Sequence, residues 1–388
     1  MGRCDPAPLP RSAAPMTEAN VSMLRRLLLG GTAAGAALLA TRAFTAGAAD
    51  RDGAASPRGD ERPFSFGFIG DTPYSRLEAD ALGRVLAAME PEPLEFVLHV
   101  GDIKSSRESC DDDLLASRLA LLDECPHPLI LTPGDNEWTD CGRRLPPWDP
   151  GGHLERLEWL RRHAFYRASS LGRRRMAVQQ QGPYQPHDHN GNGNGSRSGN
   201  GNGIDNGTDN GTGDGDDGAP RLPENLRWRV GSLQFCTLHV VGSNNARADR
   251  EPALERDWLL RQQANAAWLN DTVQLARREE ARGLAIALHA NMRFERDHRD
   301  GWAGMRSLVV AAAVAFDGPV LLLHGDTHHF RTDRLLLRSH GLANFRRVEC
   351  FGSPFSSSWV QIRWDPALAR PGAGEASDPF QVSIRSLP

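Results

Sequence analysis

The chain has 388 residues, 39% of them hydrophobic, with 45 basic against 49 acidic side chains and a formal charge of −4. That length allows two or three domains, or one large α/β domain with insertions, and the apolar content suffices for a substantial core. The slightly acidic balance argues against a general nucleic-acid-binding surface. Among the basic residues only Lys104 is a lysine.

In chain order, residues 1–49 read as an export signal. Arg25 and Arg26 precede an apolar stretch from Leu27 to Ala40, and the small residues Ala46, Gly47 and Ala48 follow. This is the pattern of a twin-arginine signal with a small-residue cleavage site. Translation starting at Met16 or Met23 would give it a more ordinary length. The apolar stretch is short for a membrane span, so no stable span is expected after cleavage; an uncleaved N-terminal anchor is the alternative. Residues 50–62 form a linker, and the domain runs over 63–388.

Apolar, strand-like runs occur at Phe64–Ile69, Phe96–Val100, Pro128–Thr132, Leu233–Val241, Leu284–Leu288 and Val320–Leu323. Helical periodicity lies between several of them. In SRLEADALGRVLAAME it places Leu77, Leu82, Val85 and Leu86 on one face. DDLLASRLALLDE, EWLRRHAFYRAS, the long stretch from Trp258 to Ala281 and GWAGMRSLVVAAAVAF have the same character. Strands alternating with helices predict a layered α/β domain. Residues 181–220, rich in Asn, Gly and Asp with almost nothing apolar, predict a disordered insertion. A calcium-dependent adhesive reading of that tract lacks the apolar position such repeats need. After Arg331, TDRLLLR, NFRRVECFG, SWVQIRW and FQVSIRS read as successive strands of a second sheet packed on the first.

Cys4 would leave with the signal, and export permits disulfides. Cys110 and Cys141 each lie shortly after a strand end and could pair. Cys236 and Cys350 sit in strand-like runs and read as buried small hydrophobes.

The chemistry gathers at strand ends. FIGD, HVGD, TPGD and LHGD place Asp71, Asp102, Asp135 and Asp326 directly after apolar runs, and LAIALHAN ends on His289. Glycine lets the backbone turn sharply and approach a ligand closely. In open α/β sheets, ligands bind beyond the carboxyl ends of the strands. Four carboxylates brought together there repel one another unless cations neutralise them. With His289 and His328 they make an Asp/His set suited to Mn, Fe, Zn or Mg. His324, His99 and His239 sit inside apolar runs and read as core histidines. Lys104 could set a compact ammonium beside an anionic substrate. Arg143 and Arg144 are candidate phosphate contacts.

These ordered motifs resemble those of the calcineurin-like metallophosphoesterases, which include the purple acid phosphatases, from about Phe64 to Phe330. The resemblance implies a two-sheet β-sandwich flanked by helices and a centre of two divalent or trivalent ions (Mn, Fe, Zn or Mg). It also implies phosphoester hydrolysis by a metal-bridging hydroxide, acting on a small phosphorylated substrate. Asp71, Asp102, His289 and His328 fall on family ligand positions, with Asp102 as the bridging carboxylate. The chain departs from the family at four places. Pro73 replaces a ligand histidine, Asp135 a ligand asparagine, Asn136 the catalytic histidine and Asp326 the first histidine of the last motif. Tyr74 lies beside the missing ligand, and in another register Asn136 rather than Asp135 reaches the metal. Asn136 can donate a hydrogen bond but no proton. His329, and after it Glu137, are therefore the candidate proton donors to the leaving group. The competing reading is a metal-binding, non-hydrolytic module of the same fold that recognises phosphate or serves structurally.

Overall fold

Alternation within each apolar run decides which side chains face which layer. Along β1 (Phe64–Ile69) Phe64, Phe66 and Phe68 point to one face, and along β8 (Val320–His324) Leu321 and Leu323 do the same. Val320 and Leu322 point to the other face of β8. Both faces are covered, so the strands read as unbroken hydrophobic runs. The structure, a computed structural model, describes residues 62–142, 152–182, 221–248, 250–295, 300–355, 357–369 and 378–387. The expected export signal, the linker up to residue 61, Arg143, Arg144 and residues 183–220 of the expected insertion lie outside them.

The strands form two mixed sheets. The first has five strands in the order β12-β11-β1-β2-β3 and the second seven in the order β4-β5-β6-β7-β8-β10-β9. Here β2 is Leu94–His99, β3 Leu129–Leu131, β4 Gln179–Gln180, β5 Leu226–Val230, β6 Leu233–Thr237 and β7 Gly283–Ala287. β9 is Arg331–Asp333, β10 Phe345–Glu349, β11 Ser358–Trp364 and β12 Phe380–Ser386. Between the sheets lies an aromatic core. Phe66 stacks on Phe96 with ring centroids 5.0 Å apart, and Phe235 stacks on Trp228 at the same distance. Helices Arg76–Ala88, Asp112–Asp123 and His153–Ala164 cover the outer face of the first sheet; Pro252–Arg278 and Ala303–Ala315 cover the second. Ser75 and Asp111 cap the first two, their side chains accepting from the N–H groups of Glu78 and Leu114. This is the expected α/β sandwich with helices on both sides. No helix among the described residues is long and apolar enough to cross a membrane.

Three local expectations are corrected. Leu77 is 81% exposed, and Ala81 takes its place with Leu82, Val85 and Leu86 on the buried face. TDRLLLR is not one strand. Its first residues make the edge strand β9, where Asp333 is held by Arg347, and Leu335–His340 is helical, ending at left-handed Gly341. The C-terminal strands do not build a sheet of their own. β9 and β10 extend the second sheet, while β11 and β12 run antiparallel beside β1. Strand β5, LRWRV, is not among the expected runs; Leu226, Arg227 and Trp228 are all buried in it.

Cys110 and Cys141 are joined, with Cα atoms 5.9 Å apart, and Cys125, Cys236 and Cys350 are free and buried.

Candidate metal centre

The parallel strands β1, β2 and β3 of the first sheet and β6, β7 and β8 of the second end at the same edge of the sandwich. Their next residues meet there. Asp71, Asp102 and His289 form one grouping and Asp135, His289 and Asp326 another, with candidate ligand atoms in each within 4.8 Å of one another. His289 Nε2 lies 2.9 Å from Asp135 Oδ1, 3.4 Å from Asp102 Oδ1 and 4.0 Å from Asp326 Oδ1. Its Nδ1 donates to the Val100 carbonyl at 2.7 Å, which orients the ring with Nε2 toward the carboxylates. His328 repeats the arrangement. Nδ1 donates to the Ser353 carbonyl at 2.8 Å, and Nε2 stands 3.7 Å from Asp71 Oδ1.

The glycines of the Gly-Asp pairs work mainly by being small. Only Gly101 among them has a positive φ; Asp71, Asp102 and Asp326 themselves adopt the left-handed conformation, with φ of 53°, 57° and 81°. A Cβ at Gly134 would lie 2.1 Å from Asp102 Oδ1, and one at Gly325 2.2 Å from Asp71 Oδ2. Gly242 belongs to the same set, although no aspartate follows it. A Cβ there would fall 2.4 Å from Asp135 Oδ1 and 2.7 Å from Asp326 Oδ1. Gly242→Ala should therefore spread the second grouping, lowering metal affinity by about tenfold or more while leaving the rest of the fold intact. A metal titration read beside the melting curve of the metal-free protein checks this.

Tyr74 stands where Pro73 leaves a gap. Its hydroxyl donates to Asp102 Oδ2 at 2.7 Å, accepts from Asn136 Nδ2 at 2.9 Å and lies 3.2 Å from His328 Nε2. Burial and the neighbouring Asp102 raise its pKa, so the phenol keeps its proton for Asp102. Asn136 is aimed at the same carboxylate, Nδ2 donating to Asp102 Oδ2 at 2.6 Å and its backbone N–H to Oδ1 at 2.9 Å. Asp135 is held by His289 and by Ser243, whose Oγ donates to Oδ2 at 2.7 Å. Asp326 accepts from the Asn291 N–H at 2.8 Å, and its own N–H donates to Asp71. Glu137 braces the backbone: Oε1 accepts from the N–H groups of Gly134 and Asp102 at 2.7 and 3.2 Å, while Oε2 is buried without a partner.

The remaining candidates are placed differently. The Lys104 ammonium is buried and donates to the Ser105 and Glu108 carbonyls, inside the loop that carries it. His329 is exposed next to His328, its Nδ1 on the Thr327 carbonyl at 2.6 Å; no hydrogen bond joins it to the aspartates among the described residues. His99 and His324 are buried and bonded to backbone, and burial lowers them to about 4 and about 3. His239 is buried against Glu224. Ser243, Asn291 and Gly242 had no place in the sequence reading. The signal for the first was VVGS, which repeats the apolar-run-then-glycine pattern with Ser where the other ends have Asp.

Electrostatics test whether cations fit this donor set. Burial, with repulsion from Asp326 and Asp135 added, pushes Asp71 up to about 7 against the pull of His289. Burial raises Asp102 well above the ordinary range, with Asp135, Glu137 and Asp71 adding to it, and raises Asp326 and Glu137 likewise. Burial opposes ionisation of Asp135 too, but the His289 and Ser243 hydrogen bonds outweigh it and leave its pKa low. Burial would lower His289, and the surrounding aspartates outweigh it and raise it. Carboxylates packed this tightly either hold protons or hold metal, and the two imidazole Nε2 atoms aimed among them would serve as ligands once a cation displaces the proton. The residues present fit a two-ion centre.

No family model and no curated protein matches the sequence. Among solved structures, the chain is similar to a dimetal phosphatase from Danio rerio at 13% identity, covering 82% of this chain and 98% of that one, with a TM-score of 0.42. A purple acid phosphatase from yellow lupin seeds aligns at 10% identity over 84% of this chain and 54% of its own, with a TM-score of 0.41. The present chain thus spans about half of the lupin protein. The anchor protein of the inner membrane complex of Plasmodium aligns at 9% identity over 84% and 89% of the two chains, with a TM-score of 0.40. These are distant likenesses of fold, and the chemistry below rests on the site.

Proposed function

We propose that this chain, metallophosphoesterase-like in fold, is an exported, metal-dependent hydrolase of small phosphoesters. The observation that carries the reading is the convergence of Asp71, Asp102, Asp135, Asp326 and His289 from the ends of both sheets into two ligand groupings sharing His289. Two divalent or trivalent ions held there, Mn, Fe, Zn or Mg, would lower the pKa of a coordinated water and draw charge from the phosphoryl oxygens. The chain's own groups do the rest. Tyr74 and Asn136 orient Asp102 through donated hydrogen bonds, Ser243 orients Asp135, and the Val100 and Ser353 carbonyls hold the two imidazoles. His329 is the exposed imidazole beside this set and the proposed proton donor to the leaving group. Export is supported by the twin-arginine pattern and by the Cys110–Cys141 bridge.

Elemental analysis of the purified protein, joined to hydrolysis of aryl phosphate esters with each metal, tests the reading. Bound metal with turnover is expected. Bound metal with no turnover across the panel would move the chain to the second reading, a non-hydrolytic phosphate-recognition or structural module. One observation favours that reading: the Asn136 amide, at the family's acid position, is spent on Asp102 and Tyr74. Tyr74→Phe separates bracing from bulk. It should weaken metal binding by roughly 10- to 100-fold, as loss of a hydrogen-bond partner to a ligand does, with little change in melting temperature without metal.

A further inference from the structure

The loop that delivers His289 continues through Asn291 to Arg293, and each step is tied to the site. The Asn291 N–H donates to Asp326 Oδ2 at 2.8 Å, and its side-chain oxygen accepts from the Arg293 N–H at 3.1 Å. Arg293 is turned out of this path by a φ of 51°, a left-handed conformation usually taken by Gly, Asn or Asp. An arginine is strained in that conformation, and the Asn291 bond helps to hold it there. The side chain that results is exposed. Its guanidinium carbon lies 5.7 Å from the ring centroid of Trp302, which is buried and donates Nε1 to the Val241 carbonyl at the base of the Gly242–Ser243 turn. No carboxylate lies within salt-bridge distance of Arg293 among the described residues. Of the other cations considered for the substrate, Lys104 is buried in its own loop, and Arg143 and Arg144 lie outside the described residues.

Charge balance gives this residue a task. Two divalent ions would only just cancel the four aspartates, and Glu137 adds a further buried carboxyl. A doubly charged phosphoryl group arriving there needs a cation from the protein, and a guanidinium fits two phosphoryl oxygens at once. We propose that Arg293 is the substrate-binding cation of this site and selects phosphate monoesters, whose dianion it engages through two non-bridging oxygens, over diesters. This rests on the hydrolytic reading for its substrate but not for its anion site.

The test uses the full chain loaded with Mn, comparing Arg293→Ala and Arg293→Lys with the unaltered protein. Calorimetry with inorganic phosphate should show about 10- to 100-fold weaker binding in the Ala variant, the range for a lost hydrogen bond to a charged group, and partial recovery in the Lys variant. KM for an aryl monoester should rise in step, while KM for an aryl diester moves by less than about threefold and Mn content stays unchanged. Unchanged phosphate binding and monoester KM in Arg293→Ala would overturn the assignment, as would equal losses on monoester and diester. Arg293-dependent phosphate binding without turnover of any ester supports the anion site and removes the hydrolytic reading. Turnover indifferent to Arg293 does the reverse, and an unaltered protein that binds no phosphate overturns the anion site.

Discussion

Stripped of metal, the protein should be more stable at pH 6.5 than at pH 8, and added Mn should restore more stability at pH 8 than at pH 6.5. The sign follows from the buried carboxyls. Asp71, Asp102, Asp326 and Glu137 have pKa values raised in the folded state, so the folded protein binds their protons more tightly than the unfolded chain does. Their contribution is fully present below the ordinary carboxyl range and is lost as pH rises through the folded values. For Asp71 the window runs from 3.8 to about 7. A shift of that size corresponds to ~4 kcal/mol for this one group. Asp135, held low, works the other way, contributing above the ordinary range and losing its contribution in acid. Asp135 titrates below this pH range, and the buried His99, His239 and His324, lowered by burial, pull the other way mainly below their ordinary value of 6.5, so the net slope between pH 6.5 and pH 8 is downward. Metal reverses it by replacing the protons, because ligands bind deprotonated. Thermal unfolding of chelated and Mn-loaded protein at the two pH values measures both slopes. A chelated protein that grows more stable toward pH 8 would sink the account of these carboxyls as a cation-hungry cluster.

Asp102→Asn should be the most damaging single substitution. Asp102 takes hydrogen bonds on both oxygens, from Tyr74 and the Asn136 amide on Oδ2 and from the Asn136 N–H on Oδ1, and Oδ1 also faces His289. An amide has one acceptor oxygen and a pair of N–H donors, so one of these partners would meet a donor instead. It also removes a negative charge from the middle of the ligand set. Metal content should fall, and kcat on an aryl phosphate should drop on the order of 10³-fold, or ~4 kcal/mol in the barrier. Circular dichroism of the variant should match that of the unaltered protein, since Asp102 contributes backbone shape rather than core. Asp102→Asn with normal metal content would remove Asp102 from the centre.

What could be read in the sequence was what is local to a strand end. An apolar run followed by Gly and Asp is visible in seven or eight letters, and the four aspartates that such runs carry do meet. The reason first given for the glycines was only partly right. The left-handed turn falls on Asp71, Asp102, Asp326 and Gly101, while Gly134 and Gly325 clear room for a neighbouring carboxylate. Tyr74 could not be assigned from its neighbourhood in sequence, because its direction is set by the path the chain takes after left-handed Asp71. Ser243 and Asn291 were hidden for another reason. One holds its aspartate through a hydroxyl in the turn beyond β6, the other through a backbone N–H that has no letter. Lys104 drew attention by its rarity, and the structure spends it on carbonyl oxygens of its own loop.

The bridge between Cys110 and Cys141 joins the loop that follows Asp102 to the turn that carries Asp135, Asn136 and Glu137. It closes 31 residues of chain, which removes ~3–4 kcal/mol of freedom from the unfolded state in the loop-entropy description. A consequence concerns the order in which the molecule is finished. Once the thiols are oxidised, two of the loops that present oxygen donors are already neighbours before any ion arrives. A chain kept reduced must gather them with the ion alone, out of its binding energy. Metal uptake by the oxidised chain therefore begins from a half-assembled clasp, and the compartment that makes the bridge also primes the chain for its metal.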